Sequence, residues 1–234
     1  MRDALSLIFV TGCLVVSIPA LAVMVDIQPQ TVFVPNGFDN NDEVVVVADG
    51  YLPDSCHRLT APEIKIDRAK KQIMVQTRAN SFEGVCNDMT VPFYSTIRLG
   101  YVPKGEFNIV NRQGQSLSGL RVVQATTSYP DDYLYAPVDT VSVETKADKA
   151  IATLKGRFTN TCLSIDSVKT THSGNTIEVL PIMKVEDGEG TGRQCEVIEK
   201  EFSQAVELNV DKGRHLLHVR SLNGQSVNHL FTMQ

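Results

Sequence analysis

One set of landmarks occurs twice along this chain, and that repetition constrains the fold more than its composition does. Gly50 is followed after five residues by Cys56, and Gly156 after five by Cys162. Six residues separate Cys86 from Phe93, and six separate Cys195 from Phe202. Five lie between Phe93 and Leu99, and five between Phe202 and Leu208. Gly114-Gln115-Ser116 returns as Gly224-Gln225-Ser226. Landmarks recurring in order at fixed spacing imply one unit of about 100 residues used twice, a usual domain size. The expected organisation is a leader over 1–22, a first domain over 23–125, a linker over 126–137 and a second domain over 138–234.

Each copy parses into about seven short strands. In the first they are Val32–Val34, Glu43–Tyr51, Glu63–Asp67, Gln72–Thr77, Ser95–Leu99, Glu106–Asn111 and Leu117–Gln124. Glu63-Ile64-Lys65-Ile66-Asp67 alternates polar and apolar, which gives a strand one wet face and one dry face. Turns punctuate the runs: Pro35-Asn36-Gly37 and Pro103-Lys104-Gly105 in the first copy, Asp211-Lys212-Gly213 and Asn223-Gly224 in the second. Gly supplies the positive φ that such turns require, and Asn-Gly favours a tight hairpin. No segment carries a sustained helical period. The predicted fold class is all-β: two tandem immunoglobulin-like antiparallel sandwiches, each with one internal disulfide.

The first segment, MRDALSLIFVTGCLVVSIPALA, has Arg2 near its start, an apolar run, and small residues at Ala20 and Ala22. That is the layout of a secretory signal peptide cut after Ala22. Pro19 and the small-residue site argue against a membrane anchor. Val10-Thr11-Gly12-Cys13 has the look of a lipid-attachment box. Its preceding apolar region is too short, however, and the residues after it stay apolar. Export implies a periplasmic or secreted protein in an oxidising compartment, where cysteines pair. Removing the leader takes away one Arg and one Asp, so the mature chain keeps the net charge of −5. A weakly acidic chain without a basic cluster has no electrostatic footprint for nucleic acid or anionic lipid.

The stretches GYLPDSC and VPFYSTIRLGYVPKGEFNIV resemble a recurring module of exported bacterial proteins. The likeness runs over Val32–Gln124 and, more loosely, over Val138–Gln234; the second copy lacks Pro92 and Pro103. It implies an immunoglobulin-like sandwich and nothing about catalysis, because a fold does not specify a function.

Cys56 stands beside His57, which raises the question of a catalytic pair. Neighbours on a strand point to opposite faces, and the second copy has Leu163 where the first has His57. The four mature cysteines allow three pairings, and the repeat favours Cys56–Cys86 with Cys162–Cys195. His215 and His218 would share a metal on a helix but diverge on a strand. Phe38-Asp39-Asn40-Asn41-Asp42-Glu43 is oxygen-rich enough for calcium but lacks the EF-hand register, so a polar loop is expected. Glu186–Gly192 reads as an acidic surface loop. The linker concentrates Tyr129, Tyr133 and Tyr135 between Pro130 and Pro137. Such tyrosines either pack the domains together or bind a partner. No catalytic, metal or cofactor motif emerges. The expected function is non-enzymatic: an exported protein presenting loops and edge strands to a protein or glycan partner, with no membrane span. The alternatives are a secreted protease inhibitor using Val185–Arg193 or Asn80–Val85, or an enzyme with an unrecognised site.

Overall fold

The structure, a computed structural model, describes residues 22–146, 149–186 and 194–234. Among them every helix or strand is a strand. The first sandwich is built from β1 (Ala22–Ile27), β2 (Thr31–Phe33), β3 (Phe38–Asp39), β4 (Glu43–Leu52), β5 (His57–Leu59), β6 (Glu63–Asp67), β7 (Gln72–Phe82), β8 (Val91–Tyr101), β9 (Gly105–Val110) and β10 (Ser116–Val123). The second holds β11 (Val138–Lys146), β12 (Lys149–Phe158), β13 (Leu163–Ser173), β14 (Thr176–Val185), β15 (Lys200–Leu208), β16 (Gly213–Ser221) and β17 (Gln225–Met233). Glu63–Asp67 falls where its alternation places it. The run from Gln72 continues to Phe82, beyond the expected Thr77, because β1 and β5 pair with its extension.

Both domains have a small sheet, β2-β4-β8 or β11-β12-β15, packed on a larger one containing β6-β7-β9-β10 or β13-β14-β16-β17. Val46, Ala48, Ile73, Ile97, Ile109 and Leu120 meet between the layers of the first, and Ala152, Leu154, Ile177, Leu217 and Val219 between those of the second. The strand order differs from that of antibody domains. There the fourth strand of seven stays beside the fifth. Here the corresponding strands, β7 and β14, cross to the other sheet and pair in parallel with β9 and β16. Among the described residues β8 and β15 are therefore hydrogen-bonded to one neighbour each, β4 and β12.

The recurring Gly and Phe become cross-strand partners. Gly50 lies opposite Phe93, and Gly156 opposite Phe202. A Cβ on Gly50 would stand 3.2 Å from the Phe93 ring, and one on Gly156 2.8 Å from the Phe202 ring. Glycine clears the space that each ring occupies, so the two spacings record one packing device.

The domains pack face to face. In β4 the run Val44 to Ala48 is buried throughout instead of alternating. Val46 and Ala48 look into the first core, while Val47 joins Phe33, Leu216 and Leu230 across the domain boundary. β16 is buried on both faces for the same reason. Leu217 and Val219 enter the second core, whereas Arg214, Leu216, His218 and Arg220 face the first domain. Burying a leucine such as Leu216 stabilises the seam by about 1.5–3 kcal/mol.

Candidate functional site

The two disulfides, Cys56–Cys86 and Cys162–Cys195, each span a Cα separation of 5.4 Å. Each is framed by the same local bonds. Asp54 Oδ1 accepts the N–H of Cys56 at 2.8 Å, and Asn160 Oδ1 that of Cys162 at 3.0 Å. The hydroxyl of Ser55 accepts the N–H of Asn87 at 2.8 Å, and that of Thr161 the N–H of Glu196 at 3.0 Å. The triplets Asp54-Ser55-Cys56 and Asn160-Thr161-Cys162 thus carry the local geometry. The two like triplets are visible in the sequence, but cysteine spacing by itself does not show that the residue two before each cysteine caps its N–H. His57 closes the first turn, with Nδ1 2.7 Å from Asp54 Oδ1. That bond holds the Asp54 carboxyl below its usual range, helped by the Cys56 N–H. Asp54, Cys56 and Cys86 lie close enough together for a metal ion. Their sulfurs are bonded to each other and supply no thiolate.

The disulfides lie at opposite ends of the molecule. Arg214, at the start of β16, meets Asp49 near the end of β4, and Arg220, near the end of β16, meets Asp42 before β4. β16 therefore runs against β4. β14 runs parallel to β16 and ends at Val185, opposite Leu163 and beside Cys162. Beyond each second cysteine the chain exposes apolar side chains: Met89 in the first domain, Val197 and Ile198 in the second. Val85, just before Cys86, is also exposed. Most of the acidic loop Glu186–Gly192, and of Val185–Arg193, lies outside the described residues, as do residues 1–21 of the expected leader with Cys13.

The linker is tied to both domains. The Asn41 side-chain amide donates to the carbonyls of Thr127 and Tyr129, both at 3.0 Å. The Asp131 carboxylate accepts the N–H groups of Asn223 and Gly224, both at 2.7 Å. The three tyrosines part company here. Tyr135 is 2 % exposed and bridges to Ile182 of the second domain, so it is a packing residue and not a contact for a partner. Burial pushes its hydroxyl up to about 12. The sequence pattern leaves packing and partner binding open for all three, because clustered tyrosines look alike until one of them pairs with a strand. Tyr133 is half-exposed, with its ring edge-on to Tyr135 and Lys169 Nζ 4.3 Å from its centroid. Tyr129 is 74 % exposed.

The ionisable groups converge on the seam between domains. Arg214 grips Asp49 through two bonds of 2.5 and 2.8 Å. Arg220, buried, donates to Asp42 Oδ2 at 2.6 Å and lies 5.3 Å from the Phe38 ring. The oxygens of the Phe38–Glu43 loop are thus turned to other uses. Asp42 also accepts the Asp39 N–H, and Asp39 accepts that of Asn41. His215 and His218 occupy opposite faces of β16. His215 stacks on Phe231 inside the second domain, with Nε2 2.8 Å from the Asp211 carbonyl. His218 meets Phe38 edge-on across the seam, with Nδ1 2.8 Å from Asn228 Oδ1. Burial pushes His218 down to about 4. Beside it in register, Glu178 is raised by burial despite accepting bonds from Thr171 and the Asn36 backbone. Asp132 is raised by burial and by the carboxylates of Asp39 and Asp42. The sequence marks His215, His218 and the Phe38–Glu43 loop one at a time, whereas Asp49, Glu178, Arg214 and Arg220 carry no signal until the two domains are brought together.

Residues 46–117, within the first sandwich, match the family model described as the ORF11 beta-sandwich domain. No curated protein and no solved structure matches the chain.

Proposed function

We propose that the chain is a non-enzymatic exported binding protein, periplasmic or secreted after cleavage behind Ala22, whose loops engage a protein partner. The carrying observation is the exposure of Val85 and Met89 at one disulfide end and of Val197 and Ile198 at the other. Apolar side chains exposed side by side, as Val197 and Ile198 are, form the kind of surface that a partner covers. Here they sit on loops that a covalent bond holds in place, which lowers the entropy lost on binding. The rigid seam supports the same reading. Its two ion pairs, Arg220–Asp42 buried and Arg214–Asp49 with a half-exposed guanidinium, tie the domains to each other, and the perturbed His218 and Glu178 lie in the same contact instead of lining a cleft. Exposed Tyr129 adds a third contact on the linker.

The test is capture from envelope extract on the immobilised mature protein, with Val85→Asp/Met89→Asp and Val197→Asp/Ile198→Asp beside the wild type. The expected result is a specific band lost with one pair of changes. Capture unaltered by both pairs rejects the loops as the contact. N-terminal sequencing of the exported protein should begin at Val23; a retained leader rejects the export reading.

A further inference from the structure

Among the described residues, the departure from antibody strand order leaves β8 as an open edge, eleven residues long. Such edges template further strand pairing unless charge, proline or a bulge blocks them. β15 occupies the same place in the second domain, so the two can be compared directly.

Pro92 tells which way the β8 backbone faces. A proline has no N–H, so within a sheet its nitrogen belongs on the unpaired side. Tyr51↔Pro92, Asp49↔Tyr94, Val47↔Thr96 and Val45↔Arg98 are successive alternate pairs with β4. Tyr94, Thr96 and Arg98 therefore turn their N–H and C=O groups to the open edge with Pro92. The side chains of these same residues are exposed on the outer face, while Phe93, Ile97 and Leu99 point into the core.

We propose that β8 is the seam of a two-fold homodimer, pairing antiparallel with β8 of a second copy of this chain about Thr96. The sequence of the strand is complementary to itself in this register. Tyr94 falls opposite the second copy's Arg98, an aromatic–guanidinium pair beside the bond that Arg98 donates to Glu43 at 2.6 Å within its own copy, and this occurs twice. Phe93 falls opposite Leu99, and Thr96 opposite Thr96, both favourable cross-strand combinations. The small sheets of the two copies then form one continuous sheet with an isologous contact, the closed arrangement usual for homodimers. The same operation on β15, about Ala205, would set Ser203 opposite Glu207, a pair with none of the aromatic–guanidinium attraction. In β8 the proline and the bulge between Arg98 and Gly100 stand towards the two ends of the strand, and the segment from Tyr94 to Arg98 between them keeps its outward N–H groups for pairing.

Sedimentation equilibrium of the mature protein from about 1 µM to about 1 mM spans the range in which a small interface assembles. The expected result is a concentration-dependent rise to twice the monomer mass. Thr96→Pro removes a donor that β4 does not use. It should give a monomer with unchanged circular dichroism, its melting temperature lowered no more than in Thr96→Val, which also loses the hydroxyl that accepts from the Asn228 side-chain amide at 3.3 Å but should still dimerise. Ala205→Pro, at the matching place in β15, should leave the dimer intact. If Thr96→Pro fails to fold, Tyr94→Arg carries the test: it sets like charges face to face on an exposed position and should weaken assembly at least tenfold. A monomer at every concentration overturns the proposal. So does a dimer untouched by a folded Thr96→Pro, or by Tyr94→Arg where the proline does not fold. A monomer that instead takes up an extended peptide of another protein along β8 also overturns it.

Discussion

Acidification should loosen the domain seam through one side chain, His218. Its ring is 1 % exposed, wedged between Phe38 and Asn228, with Nε2 buried and without a hydrogen bond. In the unfolded chain an imidazole titrates near pH 6.5. In the folded protein burial pushes His218 down to about 4. A depressed folded value means that the unfolded chain takes up the proton first. Above about pH 6.5 both states are neutral at this position and the full stability is present. Between about 6.5 and about 4 the unfolded chain gains a proton that the folded chain refuses, at about 1.4 kcal/mol per pH unit. The loss reaches about 3 kcal/mol at pH 4 and then stays level. Glu178 and Asp132 work the other way. Their raised values let the folded state accept protons early, which offsets part of the loss at the acidic end. The assay is urea unfolding at half-unit steps from pH 8 to pH 4 on the wild type and on His218→Gln. The difference between the two profiles isolates the imidazole. It should be flat above pH 7 and move by about 3 kcal/mol in favour of the variant by pH 4. Parallel profiles across that window would refute the reasoning.

Four further comparisons concern the recurring glycines, the buried ion pair, the first disulfide and the linker tyrosines. Gly156→Ala should cost several kcal/mol, because its Cβ would collide with the Pro137 carbonyl as well as the Phe202 ring. Gly50→Ala, 3.2 Å from Phe93, should cost much less, and thermal melts of the two variants check the order. Arg220→Met should destabilise by about 3–5 kcal/mol by stranding buried Asp42, and adding Asp42→Leu should restore much of it in a double-mutant cycle. Replacing Cys56 and Cys86 together with Ser should cost about 3–4 kcal/mol by freeing a loop of about thirty residues in the unfolded chain, read by chemical denaturation. Tyr135→Ala should lower stability by about 3–5 kcal/mol, as loss of a buried aromatic does. Tyr129→Ala should leave the melting temperature unchanged.

The two-domain β-sandwich architecture and the disulfide pairs were legible because repetition and alternation are local properties of the chain. Glu63–Asp67 forms a strand of the expected length since its own pattern suffices to specify it. The Gly50–Phe93 pair could be located as a spacing, although its meaning, a ring resting over a glycine, needed the register. Of the two uses open to the linker tyrosines, the sequence could not say which one Tyr135 takes. Nothing near it in sequence says that Ile182 will take it into the second domain.

The sequence alone determined what short-range physics controls: extended strands from period-two patterning, turns from Gly and Asn, and a staple from cysteines at repeated positions. Tertiary structure decided how the two copies meet. Val44 to Ala48 and His215 to Ser221 are unbroken buried runs because each of those strands is covered on both faces, one of them by the other domain. A chain records the hydrophobicity of such a run but not the identity of what covers it. Asp42 and Arg220 are separated by 178 positions and form one buried pair. Their electrostatic meaning exists only once both have left water together.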